Sequence, residues 1–211
     1  MAAFRGLTAE EEAASGFMHC LKERGYLNAE RLNPKDHTHK NAIAPFLDVL
    51  GLFFAETTAA HVKKPALMLQ DEGGERRLML GLLMSVNGED QWVHPIPPLN
   101  FTISSEDKRL SYRRQIEFLA SHRGAKSISA YIRTQANLRN QLLYAGPEGY
   151  PGQVDLSPDF FEVRKVRVMA LVRGYLLVQP YQERLSFVQD SLDAFLAMLG
   201  ELKDHDLHED V

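Results

Sequence analysis

The feature that most constrains the fold is the helical spacing of apolar residues, which dominates the chain after residue 104. In the last such segment, 181–199, apolar residues recur at steps of three and four and so share one helical face: Leu185, Val188, Leu192, Phe195, Leu196 and Leu199. Similar spacing and capping signals predict helices over 8–24, 42–62, 104–121, 125–144 and 159–178. The segment 159–178 is apolar on most sides, so we expect it to be the central buried helix.

Residues 65–103 follow a different pattern. Their short apolar runs are separated by Gly73-Gly74 and Asn87-Gly88, and such pairs favour the tight turns of β-hairpins. A small insertion, either a β-hairpin or a small meander, is therefore predicted. A short helix over 75–84 is the alternative, because leucine and methionine are weak strand formers. The predicted fold class is mainly α: one helical-bundle domain over 1–200, followed by an acidic, flexible tail over 201–211.

Composition narrows the class of protein. With 211 residues, 45% apolar and 25% charged, the chain suits one soluble globular domain that buries a core without covalent staples. No run of apolar residues is long enough for a membrane span, and the N-terminal segment lacks the apolar core of a secretion signal. The single cysteine, Cys20, excludes an internal disulfide. We therefore expect a cytoplasmic protein that binds no membrane.

The formal net charge of -4 conceals a strong segregation of charge. The segment 108–173 holds twelve Lys and Arg against five Asp and Glu, a net of +7, so the rest of the chain carries -11. A basic block of this kind is either a solvated face or a surface for a polyanion, and the block alone does not distinguish the two.

One arginine in this block has an unusual position. In the predicted helix over 125–144, Gln135 and Arg139 fall within the apolar arc rather than opposite it. A guanidinium that faces a core or an interface costs several kcal/mol unless it is paired. Arg139 is therefore either a structural group, paired or reaching to an edge, or a phosphate ligand in a cleft or dimer seam.

The residues around Arg139 resemble a known family. The segment 138–144, LRNQLLY, followed by a glycine-rich loop and Ser157-Pro158, resembles the HEPN superfamily, and within it the AbiV-like abortive-infection branch. The resemblance implies a helical bundle, a homodimer, and RNA binding or metal-independent endoribonuclease activity in a prokaryotic antiviral defence or toxin system. It implies no cofactor, and it leaves room for a further defence-system protein as partner.

The family hallmark is an arginine, an adjacent polar residue and a histidine four to six positions after the arginine. Arg139 and Asn140 match it, but Tyr144 stands where the histidine would be. An unperturbed tyrosine is a poor base near neutral pH, so enzymatic activity is left open; His122 is the one histidine considered as a substitute. In a cleavage reaction Arg139 would stabilise charge on the phosphoryl oxygens, Asn140 would orient the substrate, and Tyr144 would stack or donate a hydrogen bond.

Five further basic residues are candidates for contacts with the RNA backbone: Lys126, Arg133, Arg164, Lys165 and Arg167. The alternative function is a catalytically silent helical adaptor or antitoxin-like module, in which Arg139 is structural and the basic face binds an acidic protein. The pairs His37/His39 and His205/His208 lack a carboxylate set that would complete a metal site, so no metal is predicted. Cys20 lies on an apolar helix face and is expected to be a buried thiol.

Overall fold

Over the residues that the structure describes, the chain forms five α-helices, five strands and a short 3-10 helix, Ala29–Arg31. The computed structural model describes residues 2–101, 104–105, 108–109, 112–143 and 157–209, with side chains described for 2–71, 73–101, 117–118, 126, 128–142 and 157–202. In chain order the elements are α1 Ala2–Glu23, α2 His37–Thr58, β1 Val62–Glu72, β2 Glu75–Val86, β3 Glu89–Val93, β4 Ser104–Ser105, β5 Lys108–Arg109, α3 Tyr112–Leu143, α4 Phe160–Val178 and α5 Ser186–Glu209.

The predicted fold class, a mainly α helical bundle with a small hairpin insertion, is wrong. The protein is a mixed α/β fold, 62% helical and 17% strand, in which a three-stranded antiparallel sheet accompanies the helices. Strand β1 spans 11 residues and extends beyond both ends of the apolar run over 66–70, whereas β2 spans 12 residues and closely matches the apolar run over 76–86. The alternative of a short helix over 75–84 is also wrong, because β2 occupies that segment.

Two tight turns build the sheet in the order β1-β2-β3. Gly73 and Gly74 connect β1 to β2, and Asn87 and Gly88 connect β2 to β3; all four have positive φ angles. Positive φ at both central residues defines the type I′ turn, whose twist matches that of the strands. The turn prediction at these two pairs is confirmed, and strong turns compensate for the weak strand propensity of leucine and methionine.

The sheet joins the helices through β2. Met79 is buried, and the Tyr181 hydroxyl donates a hydrogen bond to its sulfur at 3.6 Å. Gly81 allows the Met68, Trp92 and His94 side chains to pack over the middle of the strand, because a Cβ at that position would overlap the flexible end of Met68 and crowd the rings of Trp92 and His94 at 3.1 Å.

The helix boundaries differ from the predicted ones in informative ways. Helix α1 begins at Ala2 and not at residue 8, where it was predicted to start. Thr8 and Glu11, whose spacing is that of an N-terminal capping box, therefore lie inside the helix. Helix α2 begins at His37, where the Asp36 carboxylate accepts a hydrogen bond from the Thr38 N–H and caps the helix. Helix α3 continues through Gly124, where a break was predicted. Helix α5 continues to Glu209 and so includes most of the segment predicted as a tail.

The main core lies between α1, α2, α3 and α5, with Leu171 of α4 contributing from one side, and includes buried Met18, Phe46, Ile128 and Phe195. Helix α3 packs on α2 and α5, while α1 packs on α4. The prediction that α4 is the central buried helix is wrong: one side faces α1, and the other leaves seven large apolar residues exposed. These seven residues, the α4 patch, are Phe161, Val163, Val166, Met169, Val172, Tyr175 and Leu176.

Candidate functional site

The predicted catalytic residues lie at the C-terminal end of α3. Arg139 is partly exposed and makes no hydrogen bond or ion pair with any other described residue, and Asn140 beside it is exposed. Leu138 and Leu142 anchor this end of the helix against Ala3 and Phe160. Tyr144, the third residue of the predicted motif, and the side chain of His122 lie outside the described residues.

Exposed residues form a continuous line along α3. Lys126, Arg133 and Asn140 are spaced by seven residues, which returns a helix to nearly the same face with a step of about 10 Å. The outer stripe of α3 consists of these three residues with their exposed neighbours Ala130, Thr134, Asn137 and Gln141. Two of the predicted RNA contacts, Lys126 and Arg133, thus share one surface with Asn140, a predicted catalytic residue.

Neither Arg139 nor Glu117 belongs to this stripe. At 100° per residue, Arg139 lies about 120° around the helix from Arg133, on the side of Gln135. Glu117, which is the only acidic residue of α3, lies on the Gln135 side as well. The outer stripe is consequently polar and basic, with no carboxylate among its residues.

The structure corrects the placement of Arg164. Predicted as a surface cation that contacts RNA, Arg164 is 6% exposed, and its guanidinium Nη1 lies 2.5 Å from Glu10 Oε2. Glu10 is itself 2% exposed. The two charges neutralise each other between α1 and α4, so Arg164 is not available on the surface for a phosphate.

Tyr131 connects this ion pair to a second arginine. Its hydroxyl accepts hydrogen bonds from Arg164 Nη1 at 3.0 Å and Arg167 Nη1 at 2.6 Å, and donates to Glu10 Oε1 at 3.3 Å. Arg164 also donates to the Gln135 side chain. We call these five residues, Glu10, Tyr131, Gln135, Arg164 and Arg167, the Glu10 network.

The Glu10 network holds three helices together. It joins α1, α3 and α4, and Arg167 extends it to α2 through Asp48, 3.5 Å away. The prediction that Gln135 faces inward is confirmed, because Gln135 is buried and accepts from Arg164. Of the cations predicted on α4, only Lys165 is largely exposed, with 70% of its side chain accessible.

The electrostatics of the Glu10 network follow from burial and mutual attraction. Burial raises the pKa of Tyr131, and the Glu10 carboxylate raises it further, so the phenol stays protonated. Burial alone would lower the pKa of Arg164, but the neighbouring Glu10 carboxylate raises it above its ordinary value. Tyr131 is therefore a fixed hydrogen-bonding group rather than a base.

The next residue of α1, Glu11, serves a different contact. Its carboxylate lies 2.9 Å from His37 Nδ1 and 3.4 Å from Lys40 Nζ, both in the first turn of α2. His39 is used internally as well, since its Nδ1 accepts a hydrogen bond from the Asn33 N–H. Within the part of the chain described, no group of three or more His, Cys, Asp or Glu is placed to hold a metal ion.

Glu10 and Tyr131 were not among the residues predicted from the sequence. Three consecutive glutamates, Glu10 to Glu12, in an otherwise amphipathic α1 were the available signal, because a helix that is covered on two sides buries part of such a run. The partners of Glu10, Tyr131 and Arg164, lie 121 and 154 positions away along the chain, which no local pattern reveals.

The Cys20 thiol is buried in the core, as predicted, and burial raises its pKa. None of the helices over the described ranges is long and apolar enough to cross a lipid bilayer. Comparison with known proteins gives no relative: no protein-family model matches the chain, and neither a curated protein nor a solved structure is significantly similar to it.

Proposed function

We propose that this protein binds RNA along the outer stripe of α3. One observation carries the proposal: Lys126, Arg133 and Asn140 line one exposed face, while the only acid of the helix lies on another side. The cations and amides of the stripe suit the phosphate backbone, which dominates the affinity of such contacts. The whole of α3 carries six basic residues and one acidic residue, which supports the same assignment.

Arg139 supports a second activity, cleavage of the bound RNA, which can be tested separately from binding. It is the arginine of the predicted motif, and within the described residues it takes no part in holding the fold together. Cleavage by attack of the ribose 2′-OH would use Arg139 to stabilise the charge that develops on phosphate. Endoribonuclease activity, and a prokaryotic defence or toxin setting, remain predictions that rest on the resemblance to HEPN proteins.

Binding is tested by fluorescence anisotropy with labelled single-stranded and structured RNA over a range of salt concentrations. We expect the double variant Lys126→Glu/Arg133→Glu to lose at least tenfold in affinity and to show a salt slope smaller by about one per lost contact. The control variant, Lys35→Glu/Arg76→Glu, makes the same charge change at exposed residues outside α3. No salt-dependent binding by the wild type would contradict the proposal.

Cleavage is tested in the same samples with a chelator present. If Arg139 acts on phosphate, Arg139→Ala abolishes cleavage while helicity and melting temperature stay unchanged. Intact RNA in the wild-type sample, together with the expected binding, would indicate an RNA-binding protein without nuclease activity.

We also propose that two copies associate through the α4 patch. Seven exposed large apolar residues on one helix indicate an interaction surface. Three of them, Val166, Met169 and Leu176, share with Glu162 and Arg173 the alternating steps of four and three that are typical of a helix-pairing seam. In an antiparallel pair, Glu162 lies opposite Arg173 of the second copy, and Val166 lies opposite its Met169. The seam is thus complementary to itself, as a two-fold interface requires.

The exposed α4 patch equally favours the second candidate function, an adaptor without catalysis. An adaptor would place a different protein on the patch, whereas the Glu162–Arg173 complementarity favours a second copy. The oligomeric state in solution separates the two.

A further inference from the structure

A cavity of about 160 Å³ lies inside the helical core, apart from the surfaces discussed above. It is enclosed by α1, α2, α4 and α5. Of the described residues that line it, all carry apolar side chains except Gly174 and Ser191. The Ser191 hydroxyl donates to the backbone carbonyl of Phe187 at 2.7 Å, so its only donor is already used.

These walls are unsuitable for water. An ordered buried water needs two to four polar partners, and a cavity lined by leucine, isoleucine and phenylalanine does not supply them. Dry apolar cavities of about this size in other proteins take up benzene or xenon. A charged group is excluded, because its desolvation would have no compensating contact.

The wall also favours an aromatic occupant. Four phenylalanines line the cavity, Phe17, Phe46, Phe187 and Phe195, and the rings of Phe46 and Phe195 already meet edge to face at 5.2 Å. A further ring can continue this arrangement, which adds to the free energy gained from burial alone.

The cavity is accessible from the surface. Leu47, Leu50, Leu99 and Phe187 are only partly buried where they line it, so they form a mouth between α2, the segment before β4 and the start of α5.

We propose that this cavity is a binding site for an uncharged ligand that buries a single aromatic ring. The site is independent of the RNA-binding surface, because none of its lining residues belongs to the outer stripe of α3 or to the Glu10 network. Binding involves burial and ring contacts alone, with no bond made or broken.

The test is a titration of the full chain with benzene. Binding is monitored by NMR through the methyl signals of residues in the cavity wall, such as Met18 and Ile43. We expect saturable shifts of these signals, and no shifts with benzoate, which carries the same ring and a charge. Absence of saturable shifts with benzene would overturn the proposal, since it would mean that the core closes over the cavity in solution.

A filling variant sharpens the test. Ser191→Leu adds an isobutyl group inside the cavity and should weaken benzene binding by about tenfold or more, because it occupies much of the space. Ser85→Leu makes the same substitution at an exposed position of β2 and should leave the affinity unchanged. Should Ser191→Leu fail to fold, Leu50→Phe at the mouth serves the same purpose. Equal affinity in the wild type and a folded filling variant would also overturn the proposal.

Discussion

Arg164 and Glu10 form a buried ion pair at 2.5 Å that fastens α4 to α1. Breaking a buried ion pair destabilises the folded protein, because removal of one partner leaves the other charge without compensation. We expect Glu10→Ala to lower the free energy of unfolding by about 3–5 kcal/mol. Glu10→Gln, which keeps an acceptor and removes the charge, should cost less.

The measurement for these variants is urea unfolding followed by circular dichroism. Glu12→Ala provides the control, since Glu12 is exposed on the same helix and its loss should change stability by less than about 0.5 kcal/mol. If Glu10→Ala unfolds at the same urea concentration as Glu12→Ala, the ion pair does not support the fold.

A second prediction concerns high pH. Burial raises the pKa of Tyr26 from 10 to about 12, while its hydroxyl accepts a hydrogen bond from the Leu185 N–H. Tyrosine is neutral when protonated, so the folded state holds this proton more tightly than the unfolded chain. The resulting stability is complete below pH 10 and is lost as the pH rises towards 12.

The variant Tyr26→Phe tests this linkage. At neutral pH it should be less stable by about 1–2 kcal/mol, because the Leu185 N–H loses its acceptor. Above pH 10 its stability should fall less steeply than that of the wild type, although Tyr131 contributes a decline of the same sign. Parallel pH profiles from denaturant unfolding of the two proteins would contradict the assignment to Tyr26.

A third prediction concerns Gly81 in β2. A methyl group at Gly81 would meet atoms of Trp92 and His94 at 3.1 Å each, besides the flexible end of Met68. We expect Gly81→Ala to destabilise the protein by about 1–3 kcal/mol and to shift the fluorescence of Trp92, the only tryptophan. The reverse is expected for Gly16→Ala in α1, where a Cβ meets nothing within 4 Å and helix propensity improves by up to about 1 kcal/mol.

A fourth prediction concerns the seam on α4. Val166, 65% exposed in a single copy, should be covered in the pair, so Val166→Asp should shift the protein from dimer to monomer in sedimentation experiments. Glu162→Arg should weaken the dimer by placing like charges opposite each other, and addition of Arg173→Glu should restore it. A monomeric wild type at high concentration, or no rescue by the second substitution, would refute the antiparallel pairing.

The sequence predicted those parts of the fold that depend on local chemistry. The apolar face of α5 is confirmed by the burial of Val188, Leu192 and Phe195, and both type I′ turns follow from glycine and asparagine. The length of β1 and β2 was not predictable from strand propensity, because their pairing with each other stabilises residues that are individually poor strand formers.

The functional residues show the same division. The inward position of Gln135 follows from helical periodicity, whereas the burial of Arg164 depends on Glu10, 154 positions earlier. The exposure of the α4 patch was not predicted. The apolar residues of a helix indicate that it packs against something, but they do not show whether the partner is another element of the same chain. Arg139, the expected buried arginine, is partly exposed because the packing of α3 reaches its end near Leu142.

Adjacent carboxylates on α1 have a further consequence. Glu10 points to α3 and α4, whereas Glu11 points to the start of α2, and successive residues are about 100° apart around a helix. A third glutamate, Glu12, follows this pair. A shift of α1 by one residue in one direction would therefore bring Glu11 and Glu12 to the places of Glu10 and Glu11, whereas the opposite shift would bring Ala9 to Arg164 and leave that guanidinium without a carboxylate. The run of three glutamates thus keeps both contacts supplied with a carboxylate in one direction of rotation only.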